Sequence, residues 1–420
     1  MRGAVAAAIA ATVISTGACS GQIAGAPSDG GAGHDAVGVT DEGGVADSGS
    51  PPPYDSGGSP MDASSPPPQG DTCQTPGVTC TVPPSPPSGA TPPPTGTSPH
   101  DYAIHQLYLG DTDRNGIASS DAWAAFGYNL DDLVTTEAST DVCSLAAGAS
   151  KTTQVDGNGG IDNSFGANVL PILITVGGAA FSQKVNAEIV DGAFTDLVYV
   201  TGFTDTSGNT TSASGLTGVL LSGGDYATVN HGPPAWTLAT SWPIEPESLT
   251  GCPAGVCPAG TDPIASAAVK FSGAYQRDGT FVNGGPVEVS LSLALGGASF
   301  PLTIHAASLT FAPDVPGSVT DGTIAGALLT TELIAGMQSA AGSLSPSLCS
   351  ASAFQSIAQQ VEQASDIVLS PSSSAVSNAE ATPCNAISIG LGFEGSEIAI
   401  PASADITGPT PSPPNPCGDQ

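Results

Sequence analysis

Two short runs of oxygen-bearing side chains are the parts of this 420-residue chain best suited to hold an ion. In the first, Asp111-Thr112-Asp113-Arg114-Asn115-Gly116, carboxylate and amide oxygens fall on alternate residues and a glycine supplies the turn, a pattern that can wrap a hard cation such as calcium. Asp111, Asp113 and Asn115 are its candidate ligands. The twelfth position of this run is Ala122, where a calcium loop needs a bidentate acid, and the nearest carboxylate, Asp121, comes one residue early. The competing expectation is therefore an Asx-rich turn that caps a helix at Ala122. The second run, Asp156-Gly157-Asn158-Gly159-Gly160-Ile161-Asp162-Asn163, offers Asp156, Asn158 and Asp162. Here too glycine and asparagine are what tight turns require, and Asp162 or Asn163 would serve equally as a helix N-cap.

The nine cysteines are the second chemical resource. With Cys19 set aside, eight remain: Cys73, Cys80, Cys143, Cys252, Cys257, Cys349, Cys384 and Cys417. Outside the cytoplasm such thiols pair. Local spacing joins Cys73 to Cys80 and Cys252 to Cys257; Cys349 with Cys384 would link the borders of two predicted elements, leaving Cys143 to Cys417. A zinc site at Cys252 and Cys257 lacks a second pair of ligands at metal-binding spacing.

No catalytic residue is assigned. The chain has no G-x-S-x-G elbow, no H-E-x-x-H and no P-loop. Gly390-x-Gly392-x-x-Gly395 has the letters of a dinucleotide-binding turn, but Ser396 to Pro401 reads as a strand where that motif needs a helix, so no nucleotide is expected. His105, His231 and His305 are read as structural. Glu245 and Glu247 near Trp236 and Trp242 form the one cluster of acids and aromatics, which leaves carbohydrate binding as the alternative to an ordinary buried-Trp packing site.

Charge narrows the partners. Past the leader there are five basic residues, Arg114, Lys151, Lys184, Lys270 and Arg277, against 38 acidic ones. Nucleic-acid binding needs clustered Lys and Arg, and none cluster. The acidic excess would instead attract divalent cations.

The N-terminus gives an address. Residues 1–18 read as a signal peptide: Arg2 precedes the apolar run Ala4 to Ile14, and Thr16-Gly17-Ala18 supplies small residues before Cys19. This resembles the lipobox of bacterial lipoproteins, with Thr16 standing where the family usually has an aliphatic residue. The resemblance implies that Cys19 is lipidated and that the membrane is a partner through that anchor. Residues 19–100 contain no Lys or Arg and little to bury, so they read as a disordered Pro/Gly/Ser-rich linker. As a coil it would span roughly 50 Å. Residues 101–407 read as a single globular domain and 408–420 as a Pro-rich tail.

Within the domain the spacing predicts a short helix over 122–126, a helix over 164–176 bent near Pro171, and one over 181–191 stopped by Gly192. Strands are expected at 196–203, 218–221, 267–276, 287–295, 300–311, 385–393 and 397–400, with hairpin signals at Asp278-Gly279 and Asn283-Gly284-Gly285. Helices are expected at 323–341 and 352–365. The fold class is β-dominated α+β, an antiparallel sheet or sandwich with several attached helices.

The run at Asp111 resembles the opening of an EF-hand or dockerin loop. The stretches LYLGDTDRNG, DGNGGIDNSFGANVLPI and CNAISIGLGF resemble those of bacterial surface lipoproteins with Pro/Gly-rich spacers, a group with no known activity. Leader, spacer and resemblance together imply a membrane-anchored extracytoplasmic lipoprotein, at the outer membrane or cell surface, with a binding, adhesive or envelope-structural role. Its partner would be a polysaccharide or a surface protein; the alternative function is a secreted hydrolase acting on carbohydrate. No cofactor is expected apart from calcium at the two loops.

Overall fold

The computed structural model describes residues 73–401, apart from 75–76, 90–91, 209, 253–255, 296–297 and 371–374, together with Cys417. Residues 1–72, which hold the expected signal peptide, Cys19 and most of the expected linker, and residues 402–420 other than Cys417 lie outside the described residues.

The architecture is an antiparallel barrel. Its strands are β1 (His100–Tyr108), β2 (Thr195–Thr201), β3 (Ala213–Gly223), β4 (Val269–Arg277), β5 (Thr280–Val282), β6 (Val287–Leu295), β7 (Ala298–Pro313), β8 (Ser318–Leu329) and β11 (Ala386–Glu397), with the small ladder β9 (Val368–Ser370) and β10 (Ala375–Ser377) apart. The wall runs β5-β4-β3-β2-β1-β11-β8-β7, and β5 closes it by pairing with β7, giving a barrel of eight strands. Most neighbours in the wall are also neighbours in the chain. Among the described residues six α-helices accompany it: α1 (Leu170–Gly177), α2 (Phe181–Asp191), α3 (Tyr226–Asn230), α4 (Pro263–Ser266), α5 (Thr330–Leu344) and α6 (Ala351–Glu362).

Closure depends on two local devices. Asp278 and Gly279 both hold positive φ, the requirement of a two-residue type I′ turn, and make the β4–β5 hairpin as their sequence predicts. Asn283-Gly284-Gly285 does something else. β5 and β6 both run antiparallel along β7, with Phe281 opposite Phe311 and Val287 opposite Ala307, so they are two parts of one interrupted strand. The Asn283 side chain bridges the gap, accepting from Leu309 N–H at 3.1 Å and donating to the Ala307 carbonyl at 3.2 Å.

An eight-strand barrel is just wide enough for side chains to fill. Alternate residues of each strand point inward, and Tyr102, Phe203, Phe281, Phe311 and Phe393 pack there edge-to-face and stacked, with centroids 4.7–6.4 Å apart. The helices α1, α2 and α5 add Leu173, Phe181, Val185, Ile189, Leu333 and Met337 to the same core. No single described helix is long and apolar enough to cross a membrane; residues 165–177 and 181–191 are apolar together but bent by 80°, and their apolar faces join the barrel core.

The outer face of β2 and β3 is covered by the 224–268 segment, which lays Trp242, Ile244 and Leu249 over Leu197, Val219 and Leu221. Part of the expected linker is also structural. Cys80 and Pro84 are buried: Thr81 N–H donates to Gly159 O, Asn129 N–H to Thr81 O, and the Tyr275 hydroxyl to Pro84 O.

Several elements differ from the sequence reading. Residues 323–329 belong to β8, and the helix starts only at Thr330. This strand is buried on both faces from Gly322 to Leu328, so its apolar run does not alternate and its leucines fall into helical spacing with Leu333 and Met337. β1 has no counterpart among the predicted strands. The disulfides Cys73–Cys80 and Cys252–Cys257 form as spacing predicts, but Cys143 joins Cys384 and Cys349 joins Cys417. Cys143 reaches Cys384 because the neighbouring Ser144 exchanges backbone hydrogen bonds with Thr382 and Cys384.

Gly390, Gly392 and Gly395 lie within β11, where the chain at Phe126-Gly127 crosses close to the wall. A methyl group at Gly390 would run into the Phe126 carbonyl, and the Phe126 ring lies on Gly392. Gly390→Ala is therefore expected to cost about 2–3 kcal/mol through overpacking. A urea melt checks it, and an unchanged midpoint would mean the crossing segment can lift away.

Candidate functional site

The calcium candidates fall in two places. Asp113 accepts the N–H groups of Asn115 and Ile117 at 2.9 and 2.8 Å, an Asx turn, and these bonds hold its carboxyl below the usual range. Asp111 keeps one buried oxygen, Oδ1, without a hydrogen bond. Arg114 anchors the loop: its guanidinium sits over Tyr108 and Phe126, 5.8 and 5.2 Å from the ring centroids, and donates to Gly322 O.

Asp156 and Asp162 enter a buried acidic cluster with Asp131 and Asp366. Burial is the main cause that raises the carboxyl pKa of all four; repulsion from other members of the cluster adds to it for Asp156, Asp162 and Asp366, and repulsion from Asp132 for Asp131. Their oxygens are bonded to backbone: Asp162 to Leu130 N–H at 2.6 Å, Asp156 to Thr135 N–H at 2.5 Å, and Asp366 to Ser388 N–H at 2.8 Å. Asn158 does not join them through its side chain in any hydrogen bond described; its backbone N–H donates to Ala124 O. Asn163 takes the capping role, accepting from Gly166 N–H at 3.0 Å and also bonding Gly390 of β11.

In the aromatic–acid cluster Trp236 is partly buried and packs on Trp242, and Glu247 is exposed. Trp242 is completely buried and its indole N–H donates to Gly224 O at 2.9 Å, so it presents no face to a sugar. Glu245 is pushed up to about 7 by burial and by Glu247.

His105 stands in a β-bulge of β1 and Glu394 in one of β11, and Ser396 Oγ lies 3.1 Å from His105 Nδ1. This resembles part of a nucleophile–base pair, but the Glu394 carboxylate is 3.9 Å from Nε2 and bonds the Tyr108 hydroxyl at 2.7 Å instead. The imidazole therefore has no close acid to orient it. His305 is bridged between Glu288 and Glu332 at 3.2 and 2.8 Å. The nearby cavity under Leu302, Leu328 and Leu333 holds about 110 Å³, below the usual range for an organic ligand.

The most compact set of donors has no motif in the sequence. At one end of the barrel, His100 Nδ1 lies 2.9 Å from Glu397 Oε1 and 3.8 Å from Asp205 Oδ2. Each comes from a different element. His100 opens β1 and stacks on Tyr102 two residues on, at 5.9 Å; Glu397 closes β11 and is the cross-strand partner of Tyr102. Asp205 lies in the β2–β3 loop, where the buried Gln276 side chain bonds both the N–H and the carbonyl of Thr204 at 3.1 Å. The β7–β8 turn closes the set: Gly317 N–H donates to Asp205 Oδ2 at 3.3 Å, and Glu397 N–H to Gly317 O at 2.8 Å.

Beneath these groups the Tyr102 hydroxyl is buried. It is close enough to Asp205 to feel its charge, makes no hydrogen bond of normal geometry, and holds its proton far above the usual tyrosine range, first through burial and then through Asp205. Asp205 Oδ1 is likewise buried without a hydrogen bond. Among the described residues, this is the one group of three or more His, Cys, Asp or Glu whose donor atoms converge closely enough for a single ion.

No protein-family model, curated protein or solved structure matches this chain.

Proposed function

We propose that this chain is a lipid-anchored extracytoplasmic protein of the outer membrane or cell surface, whose disulfide-braced barrel is a binding or envelope-structural head. The leader ending at Cys19 and the Pro/Gly-rich spacer support the address. The pairing of the eight later cysteines also supports it, since Cys19 is then the one thiol left for acylation. The observation that carries the role is the filled interior. Aromatic side chains occupy the barrel, so any partner larger than an ion meets its mouth or outer wall.

The anchor is tested by partitioning. The native protein is expected in the detergent phase, and Cys19→Ala is expected to move it to the aqueous phase or leave the leader uncleaved. Equal partitioning of the two would overturn the anchoring.

A further inference from the structure

We propose that His100, Asp205 and Glu397 bind one divalent first-row transition-metal ion at the mouth of the barrel. The first support is geometric. Nitrogen and oxygen donors bound to a common ion at about 2.0–2.2 Å stand roughly 3–3.5 Å apart. His100 Nδ1 is already 2.9 Å from Glu397 and 3.8 Å from Asp205, and all three donor atoms lie within 4.8 Å of one another.

Charge is the second support. Two carboxylates face each other here with one imidazole between them, and an imidazolium would neutralise only one. Among the described residues every Lys and Arg is engaged elsewhere: Arg114 with Asp321, Arg277 with Asp278, and Lys151, Lys184 and Lys270 with the carbonyls of Ser139, Gly177 and Ala265. A divalent cation would balance the pair.

The third support is an unmet polar requirement. The Asp205 side chain is only 5 % exposed, and the Tyr102 hydroxyl below it is close enough to interact with it, though neither Asp205 Oδ1 nor that hydroxyl makes a hydrogen bond of normal geometry. Buried polar atoms are seldom left so unless something unseen completes them. Entry is open from the other side, since His100 and Glu397 keep 18 % and 16 % of their side-chain surface exposed.

The donor types select the ion. Calcium prefers an all-oxygen shell, whereas one imidazole with two carboxylates suits zinc and its neighbours. Three protein ligands also leave a coordination position for an oxygen donor from outside. The site differs from both acidic loops and does not depend on lipid anchoring, so metal titration and detergent partitioning fail independently.

The full-length protein, stripped with a chelator, is titrated with zinc and in parallel with calcium, and Co²⁺ serves as the spectroscopic probe. One equivalent of zinc is expected to bind, with calcium failing to displace it. Glu397→Gln and His100→Ala are each expected to weaken zinc binding at least tenfold and to alter the visible Co²⁺ bands, while Asp113→Asn leaves both unchanged. Glu397→Gln keeps an acceptor for His100, so it remains decisive if His100→Ala does not fold. No zinc binding, binding indifferent to Glu397→Gln, or displacement by equimolar calcium would overturn the assignment.

Discussion

Moving the protein from pH 5 to pH 8 is expected to lower its unfolding free energy by several kcal/mol, the reverse of the trend for a protein with surface-paired carboxylates. Seven buried or half-buried acids, Asp101, Asp131, Asp156, Asp162, Asp196, Glu245 and Asp366, have their pKa raised, in each case chiefly by burial. Asp366 rises to about 7, although bonds from the Ser388 hydroxyl and N–H oppose the rise. In the unfolded chain an aspartate loses its proton near pH 4, at about 3.9. Between that value and about 7, the folded protein holds a proton on Asp366 that the unfolded chain has released, so stability falls as pH rises. The contribution is fully present below pH 4 and is lost through pH 7. Asp366 alone accounts for about 4 kcal/mol as an upper figure. Asp113, shifted the other way, is exposed and alters the trend little.

Melting curves from pH 5 to 8 measure this directly. Asp366→Asn keeps an acceptor for Ser388 N–H and can donate to its hydroxyl, so it should flatten the slope while folding normally. A native melting temperature that is level or rises toward pH 8 would refute the account. Calcium provides a second reading: if an ion rather than a proton neutralises Asp156 and Asp162, millimolar calcium will restore stability at pH 8, and a proton-filled cluster will show the same slope with or without it.

The second large effect belongs to Cys143–Cys384, which spans 241 residues. On the chain-entropy model a loop of that length is worth roughly 5 kcal/mol, against roughly 2 kcal/mol for the Cys252–Cys257 bridge. The double replacement Cys143→Ser/Cys384→Ser is therefore expected to lower the denaturant midpoint much more than Cys252→Ser/Cys257→Ser. Peptide mapping under non-reducing conditions should recover Cys143 linked to Cys384 and Cys349 linked to Cys417. Recovery of a Cys349–Cys384 peptide, or equal costs for the two double variants, would reject the scheme.

What the sequence disclosed rests on local rules. Phe181, Val185 and Ile189 form one helical face ended by Gly192 at φ +86°, and β6 occupies the same residues that its alternation marks. β1 is hidden because the bulge at His105 breaks the alternation of HDYAIHQLY, and that strand carries His100 and Tyr102. The mouth site is illegible for a further reason. His100 and Glu397 are 297 residues apart and meet only when the barrel closes, so no spacing joins them. One signal is present: with so few Lys and Arg, any buried pair of acids has to find its countercharge in a histidine, a proton or a metal ion.

Around the closed wall the strands are not held equally. β11 pairs with β8 from Ala386 to Ser396 and with β1 from Gly392 to Glu397, and the interrupted β5–β6 strand runs along β7 from Phe281 to Leu295, whereas β4 meets β5 only through Tyr275, Gln276 and Arg277. Local opening costs least where the ladder is shortest, so thermal breathing will concentrate at this seam and expose the aromatic fill there first. The strands bearing His100 and Glu397 belong to the stiff arc instead. The barrel thus separates a compliant edge from a rigid one, and its convergent donors stand on the rigid side, where their spacing survives the motion of the rest.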